Sequence, residues 1–180
     1  MSRKYKFHDS RKLYFISYAV INWIDVFIRE EYRTIWLESI QFCQENKGLE
    51  VYAWCLMTSH VHMIIGSEIV LLEDIVRDFK KFSSKELRKS ITENMEESRR
   101  EWILWMCERA GKKNSNNTNF QFWQQNNKPL EIKDHKMFLE CLNYIHNNPV
   151  AAGFVKDPED WIYSSAAGYA DNTGLLKLHY

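Results

Sequence analysis

Three features of this 180-residue sequence predict an α+β fold in which an antiparallel sheet is covered by helices. Short aromatic and β-branched segments have strand length, longer segments repeat their apolar residues at helical spacing, and the order runs strand, helix, strand, strand, helix, strand, with a further helix behind. The length suits one compact domain spanning residues 1–180 and is short for two. A hydrophobic fraction of 45% and a charged fraction of 27% match a chain that folds throughout, not a disordered or repeat protein.

A polar, basic arm, residues 1–12, precedes Leu13-Tyr-Phe-Ile-Ser-Tyr-Ala-Val20, whose aromatic and β-branched character predicts the first strand. From Tyr32 to Asn46, Ile35, Trp36, Ile40 and Phe42 recur near helical spacing, and Gly48 supplies a stop. Leu49–Leu56 reads as the second strand. Met57-Thr-Ser59 is a polar interruption, and His60–Ile65 before Gly66 is a third strand pairing with the second as a hairpin. Residues 68–97 read as mostly helical, with Leu72, Ile75, Val76, Phe79 and Phe82 forming the apolar face. The polar tract 111–119 predicts a mobile loop, and Phe120–Trp123 a strand after it. Lys136–Asn147 carries Phe138, Leu139, Leu142 and Ile145 in helical order, with Pro149 expected to end the helix at Asn147 or Asn148. This order outlines a ferredoxin-like sandwich, with helices on one face and a C-terminal helix bearing a tyrosine.

The formal net charge is +0, which argues against gripping duplex DNA by bulk counterion release and requires any nucleic-acid surface to be local. Basic residues cluster at Arg3, Lys4, Lys6, Arg11 and Lys12, at Arg77, Lys80, Lys81, Lys85, Arg88 and Lys89, and at Lys112 and Lys113. Taken alone, any such cluster is more often a solvated face than a ligand site. Cys43, Cys55, Cys107 and Cys141 lack zinc-pair spacing and read as core thiols of a reducing compartment. Neither a signal peptide nor an apolar run of membrane-spanning length is visible, so a cytoplasmic location and no membrane partner are expected.

In His60-Val61-His62, the two-residue strand period places both imidazoles on one side and Val61 on the other. Two neutral imidazoles on one face begin a divalent-metal site, although an isolated pair is more often unrelated histidines on a half-exposed strand. Tyr144 and Asn148, four residues apart, project from one side of their helix. A tyrosine hydroxyl is a weak nucleophile until a neighbouring cation polarises its target, and the Asn148 amide oxygen suits Mg²⁺ or Mn²⁺. Taken alone, this segment more often reads with Tyr144 as a core-facing residue and Asn148 as a cap before Pro149.

Together, Trp54-Cys-Leu-Met-Thr-Ser-His-Val-His-Met-Ile-Ile65 and Tyr144-Ile-His-Asn-Asn-Pro-Val-Ala-Ala-Gly-Phe-Val155, followed by Trp161-Ile-Tyr-Ser-Ser165, resemble the IS200/IS605-like single-tyrosine transposases. The likeness is strongest to the REP-associated branch of these HUH endonucleases. Tyr14–Val20 with Trp23 and Phe27, and Phe120–Gln124, are similar to family segments too, so the resemblance covers most of the chain. It implies that His60 and His62 hold a catalytic Mg²⁺ or Mn²⁺, that Tyr144 is the nucleophile, and that Asn148 faces the metal. Where the family carries Pro-Asn before the histidines, this sequence has Thr58 and Ser59.

The activity so implied is cleavage and rejoining of single-stranded DNA, beside a hairpin or palindromic element, through a covalent 5′-phosphotyrosine and a free 3′-OH. Arg11, Lys12, Lys80, Lys81, Lys85, Arg88, Lys112 and Lys113 are the residues expected to hold DNA phosphates, while Trp123 and Trp161 read as core in preference to stacking platforms. A monomer or a homodimer fits. The competing readings are a catalytically silent domesticated DNA-binding protein, an RNA-binding module that stacks bases on its sheet, and a structural interaction domain.

Overall fold

The structure, a computed structural model, describes residues 7, 9, 11–114, 119–171 and 173–180. Of the basic arm, Arg3, Lys4 and Lys6 lie outside the described residues, as do positions 115–118 of the polar tract. The elements run β1 (Tyr14–Ala19), α1 (Glu30–Lys47), β2 (Leu49–Leu56), β3 (His60–Ser67), α2 (Leu72–Glu93), α3 (Arg100–Lys112), β4 (Leu130–Glu131), α4 (His135–Ala151) and α5 (Ala166–Asp171). The sheet has the order β2-β3-β1-β4 and every pairing in it is antiparallel.

Alternation in β1 sends Tyr14, Ile16 and Tyr18 into the larger core with Trp36 of α1, Phe79 of α2 and Ile103 of α3. The opposite face packs Ile64, Ala53 and Cys55 against Leu142 and Ile145 of α4. Thus α1, α2 and α3 cover one face and the tyrosine-bearing α4 covers the other. A bulge in β2 makes both faces apolar: Val51 pairs with Ile65 but Ala53 with Ile64, leaving Tyr52 as the extra residue. One inserted residue reverses the alternation, so Leu49 and Val51 face the larger core before it and Trp54 and Leu56 after it.

Gly48 ends α1 in the left-handed conformation (φ 69°), its N–H returning to the Cys43 carbonyl. Asp134 caps α4 by accepting from the Met137 N–H at 2.8 Å. The expected stop at Pro149 is overturned, for α4 continues to Ala151 with the proline inside it. The missing N–H costs one hydrogen bond in the final turn, where Ala152 N–H to Asn148 O and Phe154 N–H to Pro149 O close the end. Asn148 therefore stays in helical register with Tyr144.

Phe120–Trp123 is also not a strand. Phe122 and Trp123 are consecutive and both buried in the larger core, which a period-two ladder cannot do, and Trp123 makes a single bridge to Val20. The fourth strand is β4, two residues paired with Tyr14 and Phe15. Phe42 and Phe82, read as apolar-face residues, are exposed. Cys43, Cys55 and Cys107 are buried free thiols, as expected, and Cys141 is half-buried. Among the described residues no helix is long and apolar enough to cross a membrane.

A buried carboxylate ties the α2–α3 connection to the start of α1. The Glu97 side chain, 1% exposed, accepts from Arg29 Nε and Arg99 Nε, both at 3.0 Å, and from the Arg99 backbone N–H at 3.1 Å. Burial alone would raise its pKa, and the bonds from Arg99 and Arg29 outweigh burial and hold it below the usual carboxylate value. Replacement by alanine removes the shared acceptor of two guanidinium groups that stay about a third exposed and bonded to the Glu96 and Asp25 carbonyls, and is expected to cost about 1–3 kcal/mol, measured by urea unfolding. Because the folded pKa is depressed, this contribution is complete above the unfolded value of about 4.3 and is lost as pH falls through the folded one. Stability of the wild type against pH should show that acid limb, and Glu97→Ala should show a shallower one.

Candidate active site

The site forms where β3 meets α4. In β3, His60 pairs with Ala19 and His62 with Ser17 of β1, and Val61 between them is fully buried in the larger core. Both imidazoles therefore emerge on the α4 side, as the two-residue period predicts. Tyr144 lies on α4 between buried Leu142 and Ile145, yet is itself 53% exposed. Its ring stands 5.0 Å from that of His62, edge to face, and 5.9 Å from Phe15. The core-facing alternative for Tyr144 is excluded by this exposure.

His62 is wedged between Phe15, stacked at 5.7 Å, and His60 at 5.0 Å. It is 5% exposed, and its Nδ1 has no hydrogen-bond partner among the described residues. Burial, then the neighbouring His60 and Lys128, push its pKa down to about 3, so the ring is neutral and keeps a lone pair. His60 is also shifted down by burial, against opposing pulls from an Asn148 hydrogen bond and Asp25. Ser59 Oγ contacts His60 Nδ1 at 3.2 Å, Thr58 Oγ1 bonds the Asp25 carboxylate, and the Thr58 carbonyl accepts from Phe27 N–H. Thr58 and Ser59, where the resemblance expects Pro-Asn, thus brace the turn before the histidines through their side chains.

Two neutral imidazoles, His62 with an orphaned buried nitrogen and His60 with the Asn148 amide hydrogen-bonded to it, form a donor set that fits a divalent cation. No group of three or more His, Cys, Asp or Glu residues gathers among the described residues.

The structure thus brings His60, His62, Tyr144 and Asn148 together. It does not bring the predicted phosphate-holding residues to them. Lys81, Lys85 and Arg88 are exposed on α2, and Lys112 and Lys113 are exposed at the end of α3, in the layer opposite α4. Arg88 pairs with Glu108 at 3.6 Å and lies over the Phe120 ring. Arg11 and Lys12 are exposed before β1, at the strand end away from His60. Lys80 is turned inward: its Nζ donates to the Gln124 carbonyl and to Asn127 Oδ1 at 2.7 Å, and burial lowers its pKa to about 7. Trp123 is a core residue and Trp161 is half-buried against the smaller core, their indole N–H groups donating to Ser83 Oγ and the Leu56 carbonyl.

Lys128 is the cation that sequence reasoning missed. It is exposed, its charge acts on His62, and its φ of 43° is left-handed. The loop that presents it is pinned by Lys80 and by Ser17 N–H to the Asn127 carbonyl, beside the Ser17–His62 pair. The one available signal was the turn-forming Asn-Asn-Lys-Pro sequence before a short edge strand.

The antiparallel sheet thus carries paired histidines on β3 and faces them with a half-exposed tyrosine on α4. Over 100% of this chain and 93% of the other, with a TM-score of 0.66 and 17% identity, it is similar to a structure of the REP-associated tyrosine transposase bound to a REP hairpin. The family model described as "Transposase IS200 like" matches residues 19–108, half of the chain, including both histidines. The chain belongs to this IS200-like transposase family. No curated protein sequence matches it.

Proposed function

We propose that this IS200-like transposase cuts and rejoins single-stranded DNA beside a hairpin, through a covalent 5′-phosphotyrosine on Tyr144. The observation that carries the reading is the placement of an exposed Tyr144 ring 5.0 Å from His62, whose buried Nδ1 has no partner among the described residues. The REP hairpin bound to the similar transposase supports a hairpin-bearing substrate. His60, His62 and Asn148 would hold Mg²⁺ or Mn²⁺, which supplies charge neutralisation at the scissile phosphate when bound.

The phenol of Tyr144 loses its proton and attacks phosphorus in line. The new bond is Oη–P, the broken bond is P–O3′, and the departing oxygen takes a proton to become a free 3′-OH. Retention of the phosphodiester energy in the tyrosyl ester lets a 3′-OH reverse the step, giving rejoining or strand transfer without ATP. The half-exposed position of Tyr144 admits a flexible strand, whereas a duplex keeps its backbone constrained. Phe15 and His62 limit where the phenol ring can swing.

Lys128 holds a non-bridging oxygen of that phosphate, and Lys80 is assigned to the loop beneath it instead of to DNA. Exposed Arg11, Lys12, Lys81, Lys85, Arg88, Lys112 and Lys113 contact phosphates farther along a strand that passes round the sheet edge. Lys128→Ala should slow adduct formation roughly 10- to 100-fold, the worth of one charge-assisted hydrogen bond. It should also lower the slope of binding against salt by about one phosphate contact. An unchanged rate and slope would remove Lys128 from the site.

The central test incubates 5′- and 3′-labelled hairpin oligonucleotides with the protein and Mg²⁺ or Mn²⁺. Denaturing gels should show a protein-linked downstream fragment and a free upstream 3′-OH fragment. Metal-independent binding with no linked fragment under either metal would overturn the proposal.

A further inference from the structure

Trp23 stands beside the site in a conformation that its own sequence disfavours. It and Asn22 have consecutive left-handed backbones, with φ of 55° and 53°, a region that L-residues with bulky side chains rarely occupy. The surroundings impose it. Ile21 and Ile24 on either side are buried, Ile21 N–H is held by the Phe122 carbonyl, Val20 N–H by the Ser59 carbonyl and Trp23 N–H by the Val20 carbonyl. The indole this chain raises is 54% exposed, so core packing does not account for it. Strain of this kind persists where the structure over-determines it, and it clusters at ligand-contacting positions.

The exposed ring meets His60 at 5.0 Å and 63°. His60 meets His62, and His62 meets Tyr144, each also at 5.0 Å. Trp23 and Tyr144 are thus linked through successive ring contacts with the paired imidazoles between them. In-line displacement places the attacking and leaving oxygens on opposite sides of phosphorus, so with Tyr144 at one end the leaving 3′-nucleotide extends toward the other.

We propose that Trp23 stacks on the base immediately 5′ of the scissile phosphate and retains the released 3′-OH nucleotide for rejoining. This rests on the tyrosine-transfer reading above. A stacked base needs only an exposed π-face, which suits a cut within single-stranded DNA.

The test uses the full chain carrying Tyr144→Phe, without added metal, and hairpin oligonucleotides with 2-aminopurine placed in turn at each single-stranded position. Stacking should quench one position, and adding Trp23→Ala should restore its fluorescence and weaken affinity roughly 5- to 150-fold, while Trp23→Phe keeps most of both. An abasic residue at that position should make Trp23→Ala and wild-type binding equal. With Tyr144 intact, Trp23→Ala should lose rejoined product more steeply than the first cut. Quenching that survives Trp23→Ala at every position, or absence of hairpin binding altogether, would overturn the assignment. Normal Trp23-dependent quenching with no tyrosyl adduct would instead defeat the transfer chemistry and leave the base contact standing.

Discussion

Tyr144→Phe is expected to abolish the protein–DNA adduct, with a loss on the order of 10³-fold or more, while hairpin affinity changes little. The substitution removes one oxygen and leaves the ring, and the ring supplies the contacts to His62 and Phe15. Packing of α4 on the sheet is carried by buried Leu142 and Ile145, so no cavity forms and the unfolding midpoint should stay within about 0.5 kcal/mol of wild type, as for surface substitutions. No other side chain can supply the Oη–P bond from this position. Adduct yield on denaturing gels and affinity by filter binding separate the two effects. An adduct of normal yield in the variant would place the nucleophile elsewhere, and Tyr144 would revert to a ring that covers His62.

The parts of this arrangement that were legible in the sequence are those fixed by local rules. The bounds of β2 follow from a run of apolar and aromatic residues closed by a polar turn, and α1 ends where Gly48 permits a left-handed residue. The facing of His60 and His62 follows from the pleat alone. What was not legible depends on contacts distant in sequence. The extra residue at Tyr52 in β2 is visible only once β3 supplies the register. Phe122 and Trp123 carry strand-like aromatics because they fill the larger core, not because they pair. Pro149 reads as a stop by local preference, but its place in the last turn of a packed helix makes the lost hydrogen bond tolerable.

Charge shows the same division. Lys80 and Lys81 are adjacent and read as equivalent cations, yet helical geometry turns Lys80 beneath the Gln124–Asn127 loop and leaves Lys81 in solvent. Lys128, isolated in sequence, acquires its neighbourhood from that loop. The +0 net charge is consistent with a protein whose useful cations are placed singly, and Arg77, spent on Asp74 and Asp78, illustrates how many of the rest are neutralised in place.

His62→Phe separates the cost of burying an unpartnered imidazole from its proposed use as a metal ligand. In wild type, the buried Nδ1 gives up hydrogen bonding to water without a replacement among the described residues, a penalty of about 1–3 kcal/mol for such a group. Phenylalanine keeps an aromatic ring between Phe15 and Tyr144 and removes the orphan, so the metal-free variant should match or exceed metal-free wild type in thermal stability. Adding Mn²⁺ should raise the wild-type midpoint, because ligand binding to the native state stabilises it, and should leave the His62→Phe midpoint unmoved. Adduct formation should vanish in the variant at every metal concentration. Calorimetric scans with and without Mn²⁺, beside the gel assay, read these outcomes independently. A variant that is destabilised without metal, or that still gains stability from Mn²⁺, would mean that His62 serves the fold and that the cation is held by other groups.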